Sequence, residues 1–320
     1  MNKRILILLA SLGLTAASAA SAQDYPSKPI RIVTPTNPGG VSDGMSRLVA
    51  QGLAERLNRQ VVVENRAGAM TMIGNETVSR ATPDGYTILW GSVDMTMLPL
   101  LMKSAAAFDP GRDLVPIAMA VSTWGTYVVN PKVPVSSVPE LVAYAKANPN
   151  KIRYGTNGAG GSLHLAVRLL EIKTGISLEH VPYKGIAQVG SDLLAGEIEM
   201  ASMAISTAYA NREKVRILAQ TGPTRHAMLK EVPTTAEIGM PDVSVVYWFG
   251  LFAPPATPQP IVDRLARELD GALNEPALRE RLYTFGADAT YMPTGAFEQR
   301  VAEDKKKWAQ LIPAMGIQPE

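Results

Sequence analysis

The stretch that decides the fold reads Pro29-Ile30-Arg31-Ile32-Val33-Thr34-Pro35-Thr36-Asn37-Pro38-Gly39-Gly40-Val41-Ser42-Asp43. Its beginning, residues 29–33, predicts a strand, and the apolar residues from Met45 to Leu57 fall at the spacing of one helix face. Gly39 and Gly40 lack a Cβ atom, so the backbone of the turn can bend sharply and approach a ligand closely. Ser42 or Asp43 is the predicted helix cap. Because the amides at a helix start have no partner within the helix, this turn predicts a site for an anion.

The same pattern returns in Tyr154-Gly155-Thr156-Asn157-Gly158-Ala159-Gly160-Gly161-Ser162-Leu163-His164. A strand over 152–155 leads through glycines into a helix over 162–173, and Thr156, Asn157 and Ser162 add polar donors. Strand-to-helix turns are often glycine-rich for structural reasons alone, so either turn by itself leaves its role open. Two helix starts facing each other across a cleft would suit a ligand with a carboxylate at each end.

Around these turns the predicted strands and helices alternate, which indicates an α/β fold with mixed, mostly parallel sheets. Two extended stretches, 121–130 and 244–253, bracket a long segment that has its own strand–helix units. We therefore expect two lobes, with a ligand between them. The further predicted strands are 60–63, 86–90, 178–182, 198–202 and 215–220, and two stretches, 115–121 and 126–129, are apolar and partly β-branched. Ser137 and Glu140 form a capping box that opens a helix over 137–147. The other helices, 258–274, 275–285 and 295–311, make the last seventy residues mainly helical.

Composition excludes several classes of site. The 320-residue chain contains no Cys and three His, so we predict no disulfide, thiolate nucleophile, metal site or cofactor. Without Lys3 and Arg4, 29 cations balance 29 acids, which argues against binding to nucleic acid or an anionic membrane.

The first residues have the form of an export signal. Lys3 and Arg4 precede an apolar run, Ile5–Leu14, and Ala20-Ser21-Ala22 offers a small-residue cleavage site. The run is about half of the ~20 residues that a membrane anchor needs. We expect residues 1–22 to be removed near Ala22 and the mature protein to be soluble and periplasmic.

Common catalytic and nucleotide motifs fit poorly. Neither glycine turn has the spacing of a dinucleotide-binding or Walker A loop, and no G-x-S-x-G elbow is present. Ser162 and His164 are two positions apart, so on a helix their side chains diverge by about 200°, which argues against a nucleophile pair. His164 is either a side chain that supports the helix start or a ligand donor.

The sequence resembles the Bug family, the substrate-binding proteins of tripartite tricarboxylate transporters. The resemblance covers essentially the whole mature chain, in the right order. The matching segments are Tyr25–Arg31, Pro38–Gly40 with Asp43, Val63–Gly68, Pro83–Thr87, Tyr154–Thr156, Gly161–His164, Val181–Gly185, Val232–Thr234, Trp248–Leu251 and Ala253–Pro254.

The resemblance implies a type II-like, two-lobed periplasmic-binding-protein fold that closes like a Venus flytrap. We expect lobe 1 to comprise residues 23–123 plus 248–320 and lobe 2 residues 124–247. The family implies capture of a di- or tricarboxylate, or of an aromatic acid, by a monomer that contacts membrane permease subunits transiently. By match of motif, the ligand residues are Thr36, Asn37, Gly39, Gly40, Ser42 and Asp43 on one lobe and Thr156, Asn157, Gly160, Ser162 and His164 on the other, with Ser92 and Tyr183 close to the cleft.

Three segments depart from the family pattern. Thr36-Asn37 replaces Phe-Ala, residues 67–72 carry fewer glycines, and Ser202-Met203-Ala204-Ile205-Ser206 replaces a Phe-Asp-Asn segment. The polar pair favours a more polar ligand, and the methionines favour an apolar wall for a longer or aromatic acid. Two alternatives stay open from sequence: a periplasmic hydrolase or transferase using Ser162 and His164, and a sensor lobe for a membrane kinase.

Overall fold

The computed structural model describes residues 25–156, 158, 160–183, 185–317 and 319. The predicted export signal, residues 1–22, and Asn157 therefore lie outside the described residues. The elements are β1 (Ile30–Thr34), α1 (Val41–Leu57), β2 (Val61–Asn65), α2 (Met72–Ser79), β3 (Thr87–Ser92), α3 (Leu98–Leu101), β4 (Val115–Val129), α4 (Val138–Ala147), β5 (Arg153–Thr156), α5 (Ser162–Thr174), β6 (Glu179–Pro182), α6 (Ile186–Ala195), β7 (Met200–Ala204), α7 (Ile205–Ala210), β8 (Arg216–Gln220), β9 (Val246–Ala253), α8 (Gln259–Leu273), α9 (Pro276–Thr284), β10 (Ala287–Pro293) and α10 (Thr294–Ala314).

One long strand, β4, joins the two halves of the molecule. The strand order is β2-β1-β3-β9-β4-β7-β5-β6, and β10 and β8 also pair with β4. Residues 115–124 of β4 pair with β9 and β10. Residues 125–129 pair with β7 and β8. The two-lobed fold is thus built on a shared strand, with β1, β2, β3, β9 and β10 on the lobe 1 side and β5 to β8 on the lobe 2 side.

The sheet is mixed, and its parallel part lies at the two outer edges. The ladders β1–β2, β1–β3, β5–β6 and β5–β7 are parallel, whereas five others, all involving β4 or β9, are antiparallel. Parallel pairs are therefore less dominant than the sequence predicts. The antiparallel pairs arise because β4 and β9, at the centre of the strand order, run opposite to each of the strands beside them.

Parallel pairing places both glycine turns at strand ends. The carboxyl end of β1 leads into α1 and that of β5 leads into α5. The apolar face of α1 is buried as predicted, in a lobe 1 core that also includes side chains of α8 and α9. The first turn of α4 is capped as predicted, because the Ser137 hydroxyl accepts the Glu140 amide proton.

Some elements differ from the prediction. Residues 115–129 form one strand where the sequence suggests two short ones. The small and polar residues between those two, Ser122, Thr123 and Gly125, pair with strands from distant parts of the chain. Strand β10 interrupts the predicted helical end of the chain. Its side chains are half-buried and it pairs only at β4, so its sequence carries a weak apolar alternation.

No helix among the described residues is both long enough and apolar enough to cross a membrane.

Candidate functional site

The first glycine turn, residues 36–43, is here called loop 1. Gly39 has φ +83° and Gly40 is the N-cap of α1 in an extended conformation, without any side-chain cap. Neither Ser42 nor Asp43 caps the helix, which corrects the sequence prediction: the helix starts earlier, at Val41. The amides at the start of α1 are therefore left without a side-chain partner, as an anion site requires.

The Asp43 side chain fixes the conformation of loop 1 through hydrogen bonds. Its buried carboxylate accepts hydrogen bonds from the Gly39 amide at 3.0 Å, from Asn65 Nδ2 at 2.8 Å and from Arg47 Nε at 3.1 Å. Burial on its own would raise the pKa of Asp43, but these hydrogen bonds and the charge of Arg47 hold the pKa below its usual value. Both carboxylate oxygens are thus occupied within the lobe.

Asn65, at the end of β2, is a site residue that the sequence analysis did not single out. Its Nδ2 also donates to the Thr36 carbonyl oxygen at 3.0 Å, so it ties loop 1 to the neighbouring strand. The Thr36 hydroxyl, in contrast, is buried and has no hydrogen-bond partner in the described part of the chain. Asn37, Gly39 and Gly40 are exposed. Loop 1 therefore exposes its backbone at Asn37, Gly39 and Gly40. It also contains one buried hydroxyl, that of Thr36, with no hydrogen-bond partner among the described residues.

The second glycine turn, residues 156–164, is here called loop 2. Gly158 and Gly160 have positive φ, +127° and +79°, and Gly161 is the N-cap of α5 without a side-chain cap. Thr156 is buried and its hydroxyl donates to the Gly158 carbonyl oxygen at 2.9 Å. As in loop 1, the N-cap residue has no side chain that could cap the helix. The Ser162 amide lies at the Asp94 carboxylate instead.

The buried His164 side chain stabilises the conformation of loop 2. Its Nδ1 accepts the Gly160 amide proton at 2.8 Å, and its ring stacks on His180 at 4.1 Å between centroids. His180 Nε2 in turn lies 2.7 Å from the Thr156 hydroxyl. Burial, followed by the charges of His180 and Arg168, lowers the pKa of His164 to about 3, so the ring is neutral at physiological pH. Since Nδ1 is occupied and no hydrogen bond to Ser162 is found among the described residues, the geometry gives no support to a Ser162–His164 nucleophile pair.

Loop 2 contacts lobe 1 through the segment that follows β3. Gly160 packs so tightly on Leu101 of α3 that a Cβ atom would lie 2.9 Å from Leu101 Cδ1. Tyr247, at the start of β9, donates from its hydroxyl to the Ser162 carbonyl oxygen at 3.3 Å. Ser92, which ends β3, lies in this region and its hydroxyl is 3.4 Å from Asp94 Oδ2. The described residues of loops 1 and 2 share no hydrogen bond.

Tyr183 and Met203 each contact side chains of lobe 2, and the Tyr183 amide donates to the Thr156 carbonyl oxygen of loop 2 at 2.8 Å. The Tyr183 hydroxyl donates to Asp192 Oδ2 of α6 at 2.8 Å, and burial followed by this bond raises the pKa of Tyr183 to about 12. Met203 is buried behind β7 among Val189 and Leu193, so it belongs to the lobe 2 core and does not line an apolar wall.

In the segment 67–72, three residues with a Cβ atom adopt the left-handed backbone conformation that favours glycine. Ala69, Met70 and Thr71 have φ of +44°, +49° and +83°. This left-handed conformation costs residues with a Cβ atom about 1–2 kcal/mol each. Thr71 Oγ1 accepts from Asn75 Nδ2 at 3.3 Å, and Met70 packs on the central core. Helix α2, which follows this segment, packs with Gly74 against Pro35, the residue before loop 1.

Residues 45–317 match the model of the tripartite tricarboxylate transporter family receptor. Three solved structures resemble the chain along its length. The periplasmic binding protein BugD is 32% identical, with a TM-score of 0.81, and the match covers 92% of this chain and 100% of BugD. R. palustris Rpa4515 with adipate is 28% identical, with a TM-score of 0.83 and coverage of 93% and 100%. MatC from Rhodopseudomonas palustris with bound malate is 26% identical, with a TM-score of 0.79 and coverage of 90% and 100%.

Proposed function

Since this chain belongs to the tripartite tricarboxylate transporter receptor family, we propose that it captures an organic carboxylate and delivers it to the permease of such a transporter. The observation that carries the proposal is that α1 and α5 each begin at an uncapped glycine after a parallel strand. Each helix start can therefore give its amides to a carboxylate. The adipate and malate bound to similar proteins favour a dicarboxylate over a neutral solute.

We propose that the ligand lies between loops 1 and 2 and is buried when the lobes close. Specificity then follows from polar groups that are left unpaired when a wrong ligand binds. The pairing of β4 supports this arrangement: Trp124 is the last residue of β4 that pairs with β9, and Gly125 is the first that pairs with β7. The short piece of β4 around these residues, with the start of β9, would act as the hinge.

The protein acts in this proposal as a non-enzymatic monomer in the periplasm, exported by residues 1–22 and cleaved near Ala22. Its partners are the small carboxylate and, transiently, the permease subunits. Asp43 and His164 shape the two loops from beneath, whereas Thr36, Asn37, Ser92 and Ser162 and the loop amides face the ligand.

The test is a thermal-unfolding screen of the mature protein with dicarboxylates, tricarboxylates and aromatic acids, followed by native mass spectrometry of the stabilised complex. A ligand at 100 times its dissociation constant adds about 2.7 kcal/mol to the free energy of unfolding. We expect at least one acid to do so and to be recovered unchanged in mass. No stabilisation by any acid contradicts carboxylate binding, and conversion of the acid contradicts a receptor without catalysis.

A further inference from the structure

A surface groove of about 700 Å³ lies beside α7 and β8 and is separate from the candidate ligand site. It is lined by residues 209, 212, 215–217, 227–232 and 283, and is here called the α7–β8 groove. None of the described residues of loops 1 and 2 lines it. Four of its half-buried side chains, those of Tyr209, Ile217, Met228 and Val232, pack against a small buried cluster. A partner that covers the exposed parts of these side chains gains their burial, at about 25 cal/mol per Å² of apolar surface.

The groove carries an excess of positive charge. Three cations line it, Arg212, Arg216 and Lys230, against one acid, Glu231, although cations and acids balance in the mature chain. Among the described residues, Arg216 and Lys230 form no ion pair.

Two of these cations are held in place by contacts that leave their charge uncompensated. Arg216 Nη1 donates to the carbonyl oxygens of Val133 and Val135, at 3.0 and 2.6 Å. The Arg212 guanidinium lies over the Tyr209 ring, 4.2 Å from its centroid, and its one acidic neighbour is the highly exposed Glu213 at 3.7 Å. A carboxylate that enters the groove therefore meets guanidinium groups already positioned for it.

One wall of the α7–β8 groove comes from the other lobe. Tyr283 belongs to α9 of lobe 1, and its ring stacks on that of His226, with centroids 4.7 Å apart. His226 directly precedes the groove segment 227–232, is buried, and meets the Trp124 ring of β4 edge to face at 5.8 Å. Because both lobes contribute side chains, the shape of the groove depends on how the lobes are arranged.

We propose that the α7–β8 groove is the docking surface for an acidic, amphipathic segment of the permease. The inference rests on the proposed transport function, since it names the surface through which the receptor meets its membrane partner. Carboxylates of the segment pair with Arg212, Arg216 and Lys230, and its apolar side chains cover the half-buried residues of the groove. An uncharged segment would bury the cations without partners, which is unfavourable.

The contribution of Tyr283 makes docking sensitive to the arrangement of the lobes. A segment that touches both Tyr283 and lobe 2 binds best to the one arrangement in which the groove has the matching width. A partner shifts a conformational equilibrium, or responds to it, only through such a difference in affinity.

The test measures uptake of the acid identified by thermal unfolding, in cells whose own copy of the receptor is replaced by a variant at equal level. The groove variant combines Arg212→Glu with Lys230→Glu. The control combines Lys151→Glu with Lys306→Glu, two exposed lysines outside the groove that give the same change in net charge. We expect the groove variant to lower the initial rate of uptake by about tenfold or more, because reversed charges oppose encounter with an acidic partner. The control should leave the rate unchanged, and calorimetry should give both variants the wild-type affinity for the acid.

A third variant tests the sign of the charge. Glu231→Lys alters the same groove but makes it more positive, so uptake should be retained or increased. In addition, photoreactive benzoylphenylalanine in place of Met228 should crosslink to an acidic segment of a permease subunit, identified by mass spectrometry.

The outcomes separate the docking surface from the proposed function. Wild-type uptake by the groove variant, or an equal loss of uptake in Glu231→Lys, overturns the docking surface and leaves carboxylate transport intact. A crosslink from position 228 to lipid or to a second copy of the receptor has the same meaning. Uptake that does not depend on the receptor overturns both proposals.

Discussion

At the residue scale, loop 1 depends on side chains that hold the turn and leave its amides free. Asn65 donates to the Thr36 carbonyl and to Asp43 at once. Asp43 then holds the Gly39 amide. A ligand that meets a preformed turn binds without the cost of ordering it. If the ligand binds at loop 1 as proposed, the polar residues around the loop would affect affinity even where they do not touch it.

Replacing Asn65 by Ala tests this support. The variant leaves the Thr36 carbonyl and one oxygen of Asp43 without the Asn65 donor, so the free energy of unfolding should fall by about 1–3 kcal/mol in urea denaturation. Asn274→Ala removes an exposed amide at the end of α8 and should change the free energy by less than about 0.5 kcal/mol. Equal effects of the two substitutions would show that Asn65 does not support loop 1.

His164 gives loop 2 a pH dependence. Burial lowers the pKa of His164 to about 3 in the folded protein, whereas the unfolded chain binds this proton near pH 6.5. The unfolded state therefore takes up a proton that the folded state refuses, and stability is lost as the pH falls from about 6.5 toward 3.

The variant His164→Phe keeps an aromatic ring against His180 and removes the titrating group. Over this pH range its free energy of unfolding should fall less steeply than that of the wild type, by up to about 1.4 kcal/mol per pH unit. Denaturant titrations at several pH values measure both slopes. Identical slopes would mean that His164 is protonated equally in the folded and unfolded states.

At the element scale, the junction between loop 2 and lobe 1 is set by how closely Gly160 approaches α3. Gly160→Ala adds both a strained positive φ and a clash with Leu101. Gly175→Ala, at the end of α5, adds only the strain, since φ is +68° and no atom lies within 4 Å of the new Cβ.

We expect Gly175→Ala to cost about 1 kcal/mol of stability, and Gly160→Ala to cost measurably more in the same thermal-unfolding assay. Adding Leu101→Ala to Gly160→Ala should recover part of the difference, because the clash is then relieved. A double variant that is no better than the sum of the two single changes would exclude direct packing between Gly160 and Leu101.

The elements that the sequence predicts well are those with strong periodicity or a clear start signal. Helix α1 has a full apolar face and α4 has its Ser137 cap, and both are found with boundaries a few residues from the prediction. Strand β10 was missed because only part of each side chain is buried. The continuity of β4 was missed because its small and polar residues are covered by β9 and β10, which come from distant parts of the chain.

Part of the candidate site could also be predicted from the sequence, and part could not. Both glycine turns could be predicted, because runs of glycine between a strand and a helix indicate such turns directly. Asn65 is a single polar residue at the end of a strand, and its importance depends on the two partners of its amide, which it meets only in the folded chain.

At the scale of the whole molecule, the shared strand β4 explains how the lobes can move and remain one unit. Its first part belongs to the sheet of lobe 1 and its last five residues to that of lobe 2. A small twist between these parts would change the distance between loops 1 and 2. A ligand favours the closed arrangement only by binding it better than the open one.

The most direct measurement is a crystal structure of the mature protein with the acid that gives the largest thermal stabilisation. The account predicts one carboxylate of that acid within about 2.7–3.2 Å of loop 1 amides and the remainder of the molecule in contact with loop 2. An acid found outside the space between the lobes, or held by one loop while the other points away, would contradict it.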